Sequence, residues 1–352
     1  MRKIFVLLGL LFAVPSLACT SVIISSRVSG TGAPIMFKHR DAGSHLFNRM
    51  EWFYGEHYNF IGLVNAESVG GEVWAGTNQA GFCIMNTATY DLKDDDVAVE
   101  KMDREGIVMY RALEICATVS DFEFFLDTLS RPMGVEANFG VIDAQGGAAY
   151  YEVNNHKWVK FDVNEDSEGY RVVTNFTQTG RPEDRKGVDR YERAREIMDG
   201  VRFPIRATDL FNLISRDGKP ILRDITVSAV SFSGVRPGSD PSRTVMWGAV
   251  GYPGSAACVP MLVFNEDHLP SIVRKSSATS HSLTADIGMI LKDRNVSETV
   301  GKTENWVTGR FEKIHERWEK GKLSEEGFIK AYDRLMNKYC RKYRKNFYKT
   351  LR

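Results

Sequence analysis

The sequence is poor in the features that announce metal or nucleotide chemistry. Its five cysteines include no close pair and no C-x-x-C spacing, and its seven histidines form no H-E-x-x-H, so no zinc centre is expected. It has no Walker loop and no G-x-G-x-x-G opening a helix, which leaves phosphate-cradling backbone without a counterpart. Neither sign of charge dominates: 46 Lys and Arg stand against 45 Asp and Glu, a net charge of +1. A dedicated nucleic-acid binder would carry a large basic excess, so nucleic acid is not expected as a partner. Beyond the leader described next, no stretch of apolar residues is long enough for a membrane-spanning helix. With 43% hydrophobic and 26% charged residues, the 352-residue chain is neither disordered nor collagen-like, and its length suits one large domain or two modest ones.

What is present begins at the first residues. Arg2 and Lys3 precede an apolar run from Ile4 to Val14, and Pro15-Ser16-Leu17-Ala18 follows. This run is too short to span a bilayer, and the small residues Ser16 and Ala18 suit a signal peptidase. Residues 1–18 therefore read as an export signal, and the mature chain is expected in a bacterial periplasm or outside the cell. Cleavage after Ala18 would make Cys19 the first residue. Two readings of that position stand side by side. Cys19 could be a lipid-attachment site on an anchored envelope binding protein, although Ser16 occupies the place where lipoprotein signals usually carry leucine. Or Cys19 is a catalytic nucleophile.

The catalytic reading rests on elementary acid–base chemistry. A free thiol has a pKa of about 8.5 and an α-amino group one of about 7.7 to 8.0. A terminal cysteine carries both, so its amine can take the thiol proton and later hand it to the leaving nitrogen of an amide. The residues after Cys19 favour a strand over a flexible tether: Cys19-Thr20-Ser21-Val22-Ile23-Ile24-Ser25 is β-branched and apolar. A turn at Gly30-Thr31-Gly32-Ala33-Pro34 and a second strand from Ile35 would bring Lys38-His39-Arg40-Asp41 beside Cys19.

Four later motifs follow in order. Trp74 to Thr87 reads as two strands joined at Asn78-Gln79-Ala80-Gly81, and Asn138 to Val153 as a second hairpin. Tyr170 to Phe176 is a strand ending in Thr174-Asn175, and Pro241-Ser242-Arg243 precedes another. Together with Cys19 and Asp41, this order resembles the N-terminal-nucleophile (Ntn) cysteine hydrolases. The nearest groups are choloylglycine hydrolase, penicillin V acylase and the acyl-CoA-dependent penicillin acyltransferase, over roughly residues 19–265. The resemblance implies a four-layer αββα sandwich. It implies roles too: Cys19 as nucleophile, Asp41 holding the terminal amine, Asn86 and Asn175 as oxyanion donors, and Arg243 completing the site. The family's arginine three residues before the aspartate falls on Lys38, a departure for which Arg40 is the alternative cation. The activity implied is cleavage of a linear or side-chain amide in a small-molecule substrate, or transfer of its acyl group to another amine, with no cofactor and no metal. Substrate identity and oligomeric state stay open.

Helical patterns lie between the strand blocks, at residues 103–117, 120–129, 189–198 and 210–215. Trp52, Phe53, Tyr54, Tyr58 and Phe60 read either as core or as an acyl pocket. Cys83 and Cys116 read as buried thiols, and neither a Cys258-centred site nor a Ser277/His281 pair has partners marked in the sequence. Residues 19–295 form the expected catalytic domain and residues 296–352 a helical C-terminal extension. From Lys338 the chain is basic and aromatic with no acid, which suggests either a weak contact with an anionic membrane surface or a solvated helix end.

Overall fold

β-Branched side chains lose little by being extended, and the run Cys-Thr-Ser-Val-Ile-Ile lies within strand β1 (Ala18–Ile24). The computed structural model describes residues 18–42, 47–94, 96–276 and 280–351, without the side chains of residues 350 and 351. The expected leader apart from Ala18 lies outside these residues, as does Ser277. Further strands are β2 (Ile35–Asp41), β3 (Asn48–Phe53), β4 (Phe60–Asn65), β5 (Ala75–Asn78), β6 (Cys83–Ala88) and β7 (Ala137–Ile142). The series continues with β8 (Ala148–Val153), β9 (Trp158–Asp162), β10 (Tyr170–Val173), β11 (Thr226–Ser233), β12 (Val245–Val250) and β13 (Val259–Met261). The helices are α1 (Glu105–Ile115), α2 (Val119–Thr128), α3 (Val188–Asp199), α4 (Leu283–Ile290), α5 (Ser297–Glu319) and α6 (Glu325–Leu351).

Two antiparallel sheets result, one of six strands in the order β10-β1-β2-β11-β12-β13 and one of seven in the order β3 to β9. Met36 from the first sheet packs with Met50, Leu63, Met85 and Tyr150 from the second, so the sheets bury facing surfaces. On the far side of the second sheet, Phe60, Phe82, Ile84 and Phe139 meet Met109, Leu113, Phe122 and Leu126 of α1 and α2. On the far side of the first, Phe37 packs edge-on against Phe211 at 5.9 Å, and α3, α5 and α6 cover the remainder. This is the expected αββα sandwich, with helices at the C-terminal end. Phe53 stacks on Phe60 at 4.9 Å beneath Tyr110 of α1, so these two belong to the core, while Tyr54 is exposed.

Several boundaries differ from expectation for local reasons. Helix α2 starts one residue early, at Val119, because Thr118 and Asp121 form a reciprocal capping box. The segment Phe211–Ser215 is a π-helical turn. Helix α5 begins at Ser297, where Val300, Thr303 and Val307 continue its buried stripe. Its Glu304 is buried and receives Arg216 through two hydrogen bonds, at 2.7 and 2.9 Å, as well as the Cys258 amide at 2.7 Å. Cys83 and Cys116 are indeed buried thiols, pushed up to about 12 chiefly by burial.

Phe328 of α6 is wholly buried and stacks on Trp318 at 4.4 Å. Replacing it with alanine should cost about 3–5 kcal/mol of stability, the usual range for a large aromatic removed from a core. Equilibrium urea unfolding measures this, and a loss below about 1 kcal/mol would show that this contact is not part of the cooperative core.

Candidate active site

Strand register decides which side chains can meet Cys19. In the β1–β2 ladder Cys19 lies opposite Arg40 and Ser21 opposite Lys38. Side chains alternate along a strand, so Cys19, Lys38 and Arg40 share the face toward the second sheet. Thr20, His39 and Asp41 share the other, toward α3 and the Phe211–Ser215 turn.

On the thiol's face two buried cations stand together. The Lys38 ammonium donates to the Trp74 carbonyl at 2.6 Å and to Asn86 Oδ1 at 2.8 Å. Burial pulls its pKa from 10.5 down to about 7, with Cys19 opposing that shift and Arg40 adding to it. Arg40 donates to Asn48 Oδ1 at 3.2 Å and Asn65 Oδ1 at 3.0 Å and lies over the Trp74 ring at 5.0 Å. Burial lowers its pKa to about 10, against the attraction of Cys19, Glu72 and Asp41. Because Asn86 turns its oxygen to Lys38, its Nδ2 is the end left to donate, and it has no partner among the described residues.

The opposite face holds Asp41, and here the structure corrects an expectation. Asp41 does not hold the Cys19 nitrogen. Its carboxylate receives Arg223 Nε at 2.9 Å and Nη2 at 2.5 Å and the Thr226 hydroxyl at 2.6 Å, with His39 Nε2 at 3.3 Å. Burial, the largest influence, raises its pKa, but His39, Arg223 and Thr226 together outweigh burial and hold it below the usual carboxylate range. The Cys19 N–H instead donates to Asn175 Oδ1 at 2.8 Å. Asn175, expected as an oxyanion donor, thus offers its oxygen to Cys19, and its Nδ2 donates to the Ala88 carbonyl at 2.6 Å.

Two arginines that the motifs did not mark complete the surroundings. Arg190, buried on α3, donates to the Cys19 carbonyl, to Thr20 Oγ1 at 3.2 Å and to Asn175 Oδ1 at 2.7 Å. Burial lowers its pKa, with the charge of Asp41 as the main opposing influence. Gly187, at φ +75°, leaves room for this guanidinium, since a Cβ there would collide with Arg190 Nη2. A signal was available in the sequence: Arg190 falls on the buried stripe of α3 with Ala194 and Met198, an odd place for a charge. The second is Arg223, the partner of Asp41.

Arg243 is not at the site. Val245, the first residue of β12, pairs with Ser233, and Ser233 pairs with Ile35, at the far end of β2 from Asp41. Arg243 donates there to the Glu319 carbonyl at 3.2 Å and covers the Trp318 ring at 5.1 Å.

A cavity of about 220 Å³ runs along edge strand β10, lined by Tyr150, Phe161, Tyr170, Phe176, Tyr191 and Arg171 among others. Thr174, beside Asn175, is in its wall, and Tyr150 donates to Ser21 Oγ at 3.0 Å, on the same face of β1 as Cys19. Among the described residues Asp94, Asp96 and His156 form the one trio close enough to share a cation. Asp94 there already accepts from Asn154 and Asn155, so the trio gives no separate reason to place an ion.

No protein-family model matches the chain, and no curated protein matches it. Among solved structures it is similar to a Caenorhabditis elegans N-acylethanolamine-hydrolyzing acid amidase ortholog, with TM-score 0.49, 15% identity and coverage of 63% of this chain and 93% of that one. It is similar to a mutant form of the conjugated bile acid hydrolase from Clostridium perfringens, with TM-score 0.44, 11% identity and coverage of 71% and 95%. Penicillin V acylase from Agrobacterium tumefaciens gives TM-score 0.44, 14% identity and coverage of 69% and 86%.

The depressed pKa of Lys38 links stability to pH. Its folded pKa of about 7 lies below its ordinary 10.5, so between these values the unfolded chain binds the extra proton and the fold gains stability as pH rises. That gain is complete above 10.5 and lost as pH falls to about 7. Relative to Lys38→Met, the native chain should therefore become more stable between pH 7 and pH 9 in urea titrations. A difference that stays flat over this range would show that Lys38 keeps its ordinary proton affinity.

Proposed function

We propose that the chain, once freed of residues 1–18, is an exported amide hydrolase that works through an acyl thioester on Cys19. The observation that carries this reading is the seating of Cys19: its nitrogen on Asn175 Oδ1, and two buried cations, Lys38 and Arg40, on its thiol's face. An amine formed at that nitrogen keeps Asn175 Oδ1 as an acceptor for one N–H, which points its lone pair elsewhere and leaves it able to take the thiol proton.

The reaction then follows from the residues. Cys19 Sγ attacks the amide carbonyl while its proton passes to the Cys19 amine. Asn86 Nδ2 faces the negative charge that develops on the carbonyl oxygen, and that charge favours the protonated form of Lys38, which donates to the other end of the same amide. Collapse of the tetrahedral intermediate breaks the C–N bond, and the ammonium of Cys19 returns its proton to the departing nitrogen. Water, activated by the same amine, releases the acid. An amine in place of water would make the product a new amide, the acyltransferase outcome. Arg190 is a positioning residue here, fixing the Cys19 carbonyl and Asn175 together, and Asp41 acts through its charge on Arg190 and Arg223. The cavity along β10 supplies an aromatic wall near this centre for part of the substrate.

The test is a chain produced with its own leader and assayed against a panel of N-acyl amides. Intact mass should show loss of residues 1–18, and brief exposure to substrate should add one acyl mass to the Cys19 peptide. Cys19→Ala should lower kcat/KM by at least about a thousandfold, in line with removal of other nucleophiles. A lipid-modified or retained N-terminus, or activity that survives Cys19→Ala, would overturn the mechanism and restore the anchored binding protein.

A further inference from the structure

Helix α6 has two unlike faces. Phe328, Tyr332, Leu335, Tyr339, Tyr343 and Phe347 recur at helical spacing and are buried against the first sheet and α5. The opposite face carries Arg334, Lys338, Arg341, Arg344, Lys345 and Lys349, all exposed. None of the six makes an ion pair among the described residues, and from Arg334 to the last residue the sequence contains no Asp or Glu. Elsewhere on the same two helices, by contrast, Lys302, Lys320 and Lys330 each have a glutamate four residues earlier.

Six like charges three or four residues apart repel one another and weaken the helix that holds them. The helix dipole does not compensate, because its attraction for cations is confined to the last turn and Arg334, Lys338 and Arg341 lie well before it. No ion pair among the described residues offsets this repulsion. An open groove of about 420 Å³ runs between Ser271 and this face, with Arg334, Lys338, Arg341 and Arg344 along it. From Arg334 to Lys349 the cations extend for about 22 Å at the rise of an α-helix. Tyr348, 48% exposed, stands on the same face, a residue suited to the boundary between water and lipid.

We propose that this face of α6 docks the protein on an anionic phospholipid surface. The extent and openness of the stripe match a plane of headgroups better than one small anion. Because the apolar face of α6 is committed to the core, the contact is electrostatic and peripheral, without insertion. The inference does not depend on Cys19 chemistry.

Co-sedimentation of the full chain with vesicles tests it. Binding should be strong to mixed phosphatidylglycerol and phosphatidylcholine vesicles, absent from pure phosphatidylcholine, and lost in high salt. Replacing Arg334→Gln, Lys338→Gln and Arg341→Gln together should weaken binding about a hundredfold, at about fivefold per cation, while amide hydrolysis of a soluble substrate stays unchanged and the thermal midpoint rises as like-charge repulsion along α6 is relieved. Equal binding to phosphatidylcholine overturns the proposal, as does binding that survives the triple substitution or high salt. So does a lipid-free chain whose midpoint is raised by submillimolar inorganic pyrophosphate that also displaces it from vesicles, since that identifies a soluble-anion site. Should the triple variant fold poorly, the lipid and salt dependence of the native chain decides alone.

Discussion

The structure depends on a group of charges buried around the start of β1. Lys38, Arg40, Arg190 and Asp41 are all withdrawn from water, and Arg223 reaches in to Asp41. Ions are costly to bury unless their hydrogen-bonding capacity is met. Here most of that capacity is met by neutral oxygens: Trp74 and Asn86 for Lys38, Asn48 and Asn65 for Arg40, Cys19, Thr20 and Asn175 for Arg190. A neutral amide satisfies a cation's donors without cancelling its charge. The asparagine-rich lining therefore keeps the cations buried and leaves a positive potential on the face that Cys19 shares. The carboxylate of Asp41 moderates that potential from behind the sheet.

The sandwich is what makes such a centre possible. Arg40 spans from β2 to Asn48 of β3 and Asn65 of β4, so the two sheets are joined at the site as well as through their apolar faces. Helix α3 closes the other side, and Gly187 sets how near its Arg190 can come. The C-terminal helices work at a distance from this. Phe311 of α5 meets Trp247 of β12 at 5.1 Å, and Tyr332 and Tyr339 of α6 donate to the Pro260 and Cys258 carbonyls, around β13 at the edge of the sheet opposite β10. Chemistry and the basic face of α6 thus load different strands of one sheet.

The first hairpin, the strand pair holding Asn86 and the strand that ends just before Asn175 were legible because their information is local: β-branched runs, glycine turns and alternation. The same alternation carried a warning about Asp41. It lies three residues after Lys38, and two strand residues an odd number apart cannot share a face. One of the two had to be turned from the thiol, and the register shows that it is Asp41. Arg223 and Arg243 each precede a strand, and the motif order marked only Arg243. Which one reaches the site depends on the β2–β11–β12 order, a non-local fact that no spacing encodes. Arg190 left only the trace of a charge on the apolar stripe of α3, because its role comes from docking that helix against β1.

Lysine at position 38 does something that arginine would do differently. Its single nitrogen has three donors, of which the Trp74 carbonyl and Asn86 Oδ1 take two. A guanidinium would bring five donors into the same space and need acceptors for all of them. The compact ammonium also determines which end of the Asn86 carboxamide faces it. With the amide reversed, an N–H2 group would sit against a positive charge, and the buried ammonium would lose an acceptor, a loss made severe by the low dielectric around it. The charge on Lys38 thus orients Asn86 with its N–H2 free to donate, so one buried cation both biases the potential at the thiol's face and aims the neutral donor beside it.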